Sequence, residues 1–284
     1  MGSITDTVTE GLKYPFNDGK KVLVFGLFFT ILNIIFLAME YLSYASLKEF
    51  EASNVTINLI PQVSSTNSIF ICLLAIFGLV VLIYILGYNY DVIKFSIESK
   101  KELPGFSNPV ERLKNGLKYL ICVVAYLILP TILFALGLML GVNNNVGAAV
   151  NNIGLLLIGI SVVLFIFVYF LEIMAVSNLI KNDKFSAAFD FKGILNLISN
   201  LGWVRFIGGL IFLTIIQFII VMFCNIIISI ISNLIGIAFS SALIAVVLSM
   251  ILMGLIVNPF INIFVSRVYG SFYRAANGEL MNFE

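Results

Sequence analysis

The stretch ELPGFSNPVERLKNGLKYL, residues 102–120, places five charged side chains, two prolines and a helix-start signal between two long apolar runs. Pro104 breaks the chain. Asn108 is placed to cap a helix, Pro109 suits its first position, and Glu111 stands three residues beyond the cap. Val110, Leu113 and Leu117 then recur at helical spacing, which leaves Arg112, Lys114 and Lys118 to point elsewhere or to snorkel. This pattern predicts an interfacial helix that runs directly into a membrane span.

The flanking sequence agrees. A membrane helix needs roughly 20 apolar residues to cross about 30 Å of hydrocarbon. Six runs qualify, at about Val22–Met39, Ile69–Tyr90, Leu117–Leu140, Ile153–Met174, Val204–Ile231 and Ala242–Val265. The chain of 284 residues is 61% hydrophobic and 11% charged, with a mean hydropathy of +1.09. Soluble domains carry about 25% charge. Lipid cannot satisfy free backbone groups, so the runs must be helices, and the alternation of a membrane barrel is missing. The fifth run would extend about 42 Å as a helix, so it must tilt or protrude. The first run follows a fairly polar segment, is full length and is not followed by a small-residue cleavage site, so it is read as an uncleaved first span.

Fifteen of the 16 Lys and Arg residues fall before the first span, between spans two and three, between spans four and five, or at the end of the sixth. The positive-inside rule makes that side cytoplasmic and puts both termini there. The connections 40–68, 141–152 and 232–241 then lie outside, the first with the glycosylation sequon Asn54-Val55-Thr56. A formal net charge of +1 argues against a nucleic-acid binder. With no histidine in the chain, zinc sites and Ser-His chemistry are not expected. Cys72, Cys122 and Cys224 all lie inside spans and read as small core hydrophobes.

Three segments enter spans in related ways: DGKKVLVFG at 18–26, NGLKYLICV at 115–123 and LGWVRFIGG at 201–209. Their exits match as well, DVIK at 91–94 with NLIK at 178–181, and ELPGF at 102–106 with ELMNF at 279–283. The expected fold is therefore an all-α polytopic integral membrane protein. Its single domain, 1–284, holds six transmembrane helices as three parallel helical-hairpin repeats, at approximately 11–94, 107–181 and 183–272, with cytoplasmic interfacial helices. The second such helix is expected within 183–203, capped by Asp183, with Phe185, Phe189, Leu195, Ile198 and Leu201 on one apolar face.

Polar residues inside spans are the candidate sites. Glu172 is the sole acidic residue in an apolar run, about 28 Å from the outer start of its span. There it reads as the partner of Arg205 or a solvated end, with a proton or substrate site as the alternative. Asn33 and Gln217 lie about 17 and 20 Å from the inner side, near midplane, where amides can bond across helices or line a path for a small solute. Pro259 should kink the last span, with Asn258 and Asn262 one turn apart to satisfy freed carbonyls. Pro130 should kink the third span. Gly137 and Gly141 form a GxxxG that suits close packing within one chain or between two.

LPGF at 103–106, AAFDF at 187–191 and RVYGSFYRAANGE at 267–279 resemble an uncharacterised six-span family, catalogued as domain of unknown function 4013 and found mostly in archaea, methanogens especially. The resemblance covers nearly the whole chain and implies a six-span membrane protein, with no activity to carry over. The family often has an acidic-aromatic pair after LP, whereas Gly105, Phe106 and Ser107 stand here, which argues against a charged site at that loop. The expected function is a structural or accessory membrane protein that organises lipid or holds a protein partner at its interfacial helices, with a small-solute transporter or channel as the alternative. No enzymatic activity, cofactor or metal is expected.

Overall fold

The computed structural model describes residues 4–52, 65–141 and 152–278. Among them the chain is helical, without a strand. The helices are α1 (Ile4–Lys13), α2 (Gly19–Ala52), α3 (Ser65–Ile97), α4 (Pro109–Gly141), α5 (Asn152–Asn182), α6 (Phe185–Ala188), α7 (Phe191–Leu201), α8 (Trp203–Ala238), α9 (Ala242–Leu252) and α10 (Asn258–Ala276). A 3₁₀ turn, Tyr14–Asp18, joins α1 to α2, and a π-helical segment, Met253–Val257, joins α9 to α10.

Six helical stretches are long and apolar enough to cross a membrane, with mean hydropathies between 2.5 and 3.2. They comprise α2 with its amino-terminal extension, α3, α4, α5, α8, and the joined α9–α10. The protein is a multi-pass, all-α membrane protein. Its lipid-facing surface is built from large apolar side chains such as Ile69, Leu129, Val163 and Phe223, each more than half exposed. A water-soluble domain would not carry such a surface.

Neighbouring helices pair in sequence, α2 with α3, α4 with α5 and α8 with α9, while α3 also packs on α4 and α10. Glycines set the closest crossings. A Cβ at Gly87 would strike the backbone of Arg112, and one at Gly116 would strike the carbonyl of Ile83, so α3 and α4 meet backbone to backbone. Gly137 packs on Ile158 and Gly154, and Gly141 on Gly154. The GxxxG is therefore used within the chain, between α4 and α5.

Burial is concentrated at the end of the bundle that carries the described part of both termini. On α5, residues Ile173 to Ile180 are buried all round the helix, whereas most of residues 153–170 are not. Helix α1 contributes to this end, laying Gly11 on Val268 and Phe264 of α10. Its spacing of Ile4, Val8 and Leu12 was available in the sequence, but the ten residues lie in a segment too polar to read as part of the bundle.

Several expectations are corrected. The connection 232–241 is helical as far as Ala238, because Asn233 Nδ2 bonds back to the Ser229 carbonyl at 2.7 Å. The turn is confined to 239–241, and Ser241 caps α9. Part of 40–68 is likewise helical, in α2 and α3. Helix α4 starts at Pro109 and continues through Pro130 to Gly141 as one element. Asp183 caps nothing: it sits at φ +49°, and Asp190 caps α7 by accepting from Gly193 N at 3.0 Å. That break at Asp190 resets the helical phase. The inward face of α7 is Ile194, Ile198 and Leu201, while Phe185, Phe189 and Leu195 are exposed. Asn54 and the segment ELMNF at 279–283 lie outside the described residues.

Candidate functional site

The loop between α3 and α4 is heavily bonded to the segments around it. Six consecutive backbone carbonyls, from Lys100 to Gly105, each accept a hydrogen bond from a side chain of another segment. Arg267 Nη1 donates to Lys100 O at 2.7 Å, Asn17 Nδ2 to Lys101 O at 2.8 Å and the Tyr14 hydroxyl to Glu102 O at 2.5 Å. Lys21 Nζ donates to Leu103 O at 2.7 Å, the Tyr88 hydroxyl to Pro104 O at 3.3 Å, and Arg112 Nη2 to Gly105 O. The donors come from α10, the 3₁₀ turn, α2, α3 and α4. An irregular loop beside a membrane must have its carbonyls satisfied somewhere. Here they are satisfied by tying five segments to one strip of backbone.

Arg112 anchors one end of that strip. Its side chain is 4% exposed, against the expectation that it would point away or snorkel. Nε donates to Asp91 Oδ2 at 3.0 Å and Nη1 to the Tyr84 hydroxyl at 3.0 Å. The guanidinium also lies 5.2 to 5.4 Å from the ring centroids of Tyr84, Tyr88 and Phe106. Tyr88 is stacked between Phe25 and Phe106, at 4.2 and 5.1 Å, and Asn115 Nδ2 holds the other carboxylate oxygen of Asp91 at 3.3 Å. A planar, always-charged guanidinium can make the two hydrogen bonds, the ion pair and the ring contacts at once, which a lysine cannot. The LPGF loop therefore does receive a charge, delivered from α4, and Phe106 provides one of the rings that take it.

Arg267 anchors the other end. Its Nη2 donates to Glu10 Oε1 at 2.7 Å, and its guanidinium lies 4.3 Å from the centroid of the Tyr14 ring. Ser96 Oγ donates to the Arg267 carbonyl at 2.6 Å, and Arg274 Nη1 bonds the Ser99 hydroxyl at 2.5 Å. Both arginines belong to the closing RVYGSFYRAANGE motif, and neither was singled out among the polar candidates. The signal was present, as two cations seven residues apart on one apolar helix, but the positive-inside count treats such cations as surface charge.

The candidates named from depth are arranged differently. Asn33 Nδ2 donates to the Met250 carbonyl at 3.1 Å, so it bonds the last turn of α9 and not Gln217, which is half-buried on α8. Asn262 Nδ2 donates to the Asn258 carbonyl at 2.9 Å, and its Oδ1 accepts from Asn89 Nδ2 at 3.1 Å. The carbonyl that Pro259 would have served in a regular helix is that of Leu255. It is covered by the backbone of α2 at Gly26. A π-helical segment precedes Pro259, and Gly254 within it packs on Thr30. Glu172 is half-buried and close enough to Tyr119, Cys122, Tyr126 and Tyr269 to act on them electrostatically. Among the described residues its carboxylate forms no ion pair with Arg205 or any other cation, and Arg205 stands half-buried at the start of α8. No group of three or more Cys, Asp and Glu suited to a metal occurs among the described residues.

Just past the end of α5, Asp183 accepts from Lys118 Nζ at 2.5 Å, and the lysine holds its carboxyl below the usual aspartate range. The bond joins the start of α4 to the end of α5, across the second hairpin.

A family described as "Protein of unknown function (DUF4013)" matches residues 70–230, more than half of the chain. The chain belongs to this family. The match spans α3 through most of α8 and so includes Arg112, Asp91 and the whole carbonyl strip of this DUF4013 protein. An uncharacterised protein of Methanocaldococcus jannaschii is 28% identical over 239 residues, covering 82% of this chain and 80% of the relative. No solved structure matches the DUF4013 chain.

Proposed function

We propose that this DUF4013 protein is a structural or accessory membrane protein, without catalytic activity, that organises lipid or a protein partner at one membrane face. The Lys- and Arg-rich end, both termini and helix α7 face the cytoplasm in this reading, as the positive-inside rule requires. The observation that carries it is the strip of six carbonyls, Lys100 to Gly105, held by donors from five segments. A transporter works by moving one group of helices against another. A loop bonded at once to α10, α2, α3, α4 and the 3₁₀ turn opposes such movement and favours a fixed platform. The midplane amide Asn33 is also spent on a backbone carbonyl of a neighbouring helix, which is the use expected of packing.

The second reading is a small-solute transporter or channel. It is favoured by the π-helical segment ahead of Pro259, since π segments and interrupted spans recur at functional sites. A cysteine at position 217, in a chain whose Cys72, Cys122 and Cys224 are replaced by alanine, separates the two. The platform reading expects Gln217→Cys to resist a membrane-impermeant maleimide from both sides of sealed vesicles. Rapid labelling from either side would transfer the assignment to transport. A cysteine at the exposed Lys13 position tests the orientation in the same vesicles, and labelling from the outside of intact cells would reverse it.

A further inference from the structure

Helix α8 lies at the edge of the bundle. Near its start, Phe206 meets Phe170 and Phe272, and Gly209 packs on Phe272 and Ile4. Further along, its main neighbour is α9, with Gly236 against Ala245. Much of the remaining surface of α8 faces lipid. On that surface Ile211, Ile215, Phe218, Met222, Asn225 and Ser229 follow one another at alternating steps of four and three residues. The four apolar members are each about half exposed or more, and Asn225 is exposed beside them. This spacing is that of the seam in a left-handed helix pair, the prevailing crossing between membrane helices.

Asn225 is out of place in such a surface. At about 1.5 Å per residue it stands about 30 Å beyond Arg205 and about 20 Å before Ala238. A hydrocarbon layer of about 30 Å that begins beyond the Arg205 charge and ends within α8 therefore contains it. Its amide is not used inside the chain. Asn182, Asn233 and Asn262 each turn Nδ2 back to the carbonyl four residues earlier, at 2.7 to 2.9 Å. Asn225 Nδ2 makes no hydrogen bond among the described residues, whereas its Oδ1 accepts one, from Ser229 Oγ at 3.3 Å, and keeps a second lone pair. An amide donor open to hydrocarbon is costly, and a partner across the seam removes the cost.

The identity of that partner follows from symmetry. Two copies inserted in one membrane share one orientation, so a two-fold axis along the membrane normal sets each seam residue opposite itself at the same depth. An asparagine amide is its own complement there, because each Nδ2 can donate to the other's Oδ1. The same axis packs Phe218 and Met222 against their counterparts beside the amide pair. Between Arg205 and Ala238 α8 carries no charge, so nothing in the seam repels a second copy.

We infer that the lipid-facing seam of α8 is a homodimer interface, closed by reciprocal hydrogen bonds between the Asn225 amides of two copies with Phe218 and Met222 packed beside them. The inference goes beyond the platform reading and does not rest on it.

The test begins with disulfide crosslinking of the full chain in native membranes, on a background in which Cys72, Cys122 and Cys224 are alanine. Met222→Cys should give a band of twice the mass on mild oxidation. Phe223→Cys, at the same depth and turned about 100° round the helix, should give several-fold less. A second measurement follows energy transfer between donor- and acceptor-labelled chains in liposomes as lipid is added. Asn225→Leu should weaken association about tenfold, the loss expected for two interhelical hydrogen bonds. Phe218→Ala should weaken it as well, and Phe223→Ala should leave it unchanged. All three side chains face lipid in the single chain, and an unchanged helical circular dichroism signal verifies that the variants are folded. Equal crosslinking at 222 and 223, no crosslinking at either, or energy transfer that Asn225→Leu leaves unaltered would overturn the interface. A Met222→Cys crosslink to a protein of different mass, with none between copies, would give the seam to another membrane helix and overturn the second copy.

Discussion

Arg112 and Asp91 meet at 3.0 Å with the arginine side chain almost wholly enclosed, at the close crossing where Gly87 of α3 faces the Arg112 backbone of α4. Removing either partner leaves the other's charge buried and unpaired, which costs about 3–5 kcal/mol, whereas replacing both with apolar side chains can be nearly neutral. Arg112→Met should therefore lower the unfolding free energy in detergent by about that amount, and Asp91→Leu should do likewise. Arg112→Met/Asp91→Leu should recover more than half of the summed loss. Additive losses in this cycle, read from the thermal or denaturant midpoint, would show that the pair is not the element that Arg112 stabilises. Arg112→Lys keeps the charge but cannot serve Gly105, Tyr84 and Asp91 together, so it should fall well short of the native midpoint.

The glycines at the same crossing make a second prediction. A Cβ at Gly87 or Gly116 meets backbone on the facing helix, where nothing can rotate away. Gly159 and Gly208 lie in α5 and α8 with nothing near enough to touch an added Cβ. Gly87→Ala and Gly116→Ala should each cost about 1–3 kcal/mol, as overpacking does. Gly159→Ala and Gly208→Ala should be neutral or stabilising by about 0.5–1 kcal/mol, because alanine is the better helix former. Equal midpoints across the four variants would contradict the close approach of α3 and α4.

What the sequence made legible follows from the range of each signal. Apolar length fixes the spans, because hydrocarbon thickness is a one-dimensional constraint, and all six runs lie within spanning helices. Helix ends were less legible. Asn233 reads as part of the connection 232–241, yet in α8 it bonds back to the Ser229 carbonyl and extends the helix. Tertiary pairing was legible least. The depth that put Asn33 level with Gln217 was sound arithmetic, but a shared depth does not say which helices are neighbours, and Asn33 faces α9 instead. Arg112, Arg267 and Arg274 were counted as surface cations, because a cation at a span boundary has the same sequence signature whether it meets water or a buried carboxylate. Only the approach of Asp91, Glu10 and the carbonyls of residues 96–105 distinguishes them, and those lie at separations of 21 to 257 residues for the ion pairs alone.

The pair Lys118–Asp183 supplies a pH prediction at the opposite extreme of burial. The lysine lowers the aspartate's proton affinity in the folded protein below its value in the unfolded chain. The bond therefore adds stability above the unfolded aspartate value, about 3.9, and loses it as pH falls through the lower folded value. Asp183 is 71% exposed, so the contribution is that of a surface pair, about 0–1 kcal/mol and reduced by salt. Asp183→Asn should lower the melting midpoint slightly at pH 7 in low salt, and the difference from the native chain should vanish once pH falls below the lowered folded value and shrink in high salt. A large loss that survives both conditions would mean that Asp183 acts through its backbone, which stands at φ +49°. In that case Asp183→Gly, which relieves the left-handed conformation while deleting the carboxylate, should be at least as stable as the native chain. The two substitutions together separate the electrostatic role of Asp183 from its conformational one.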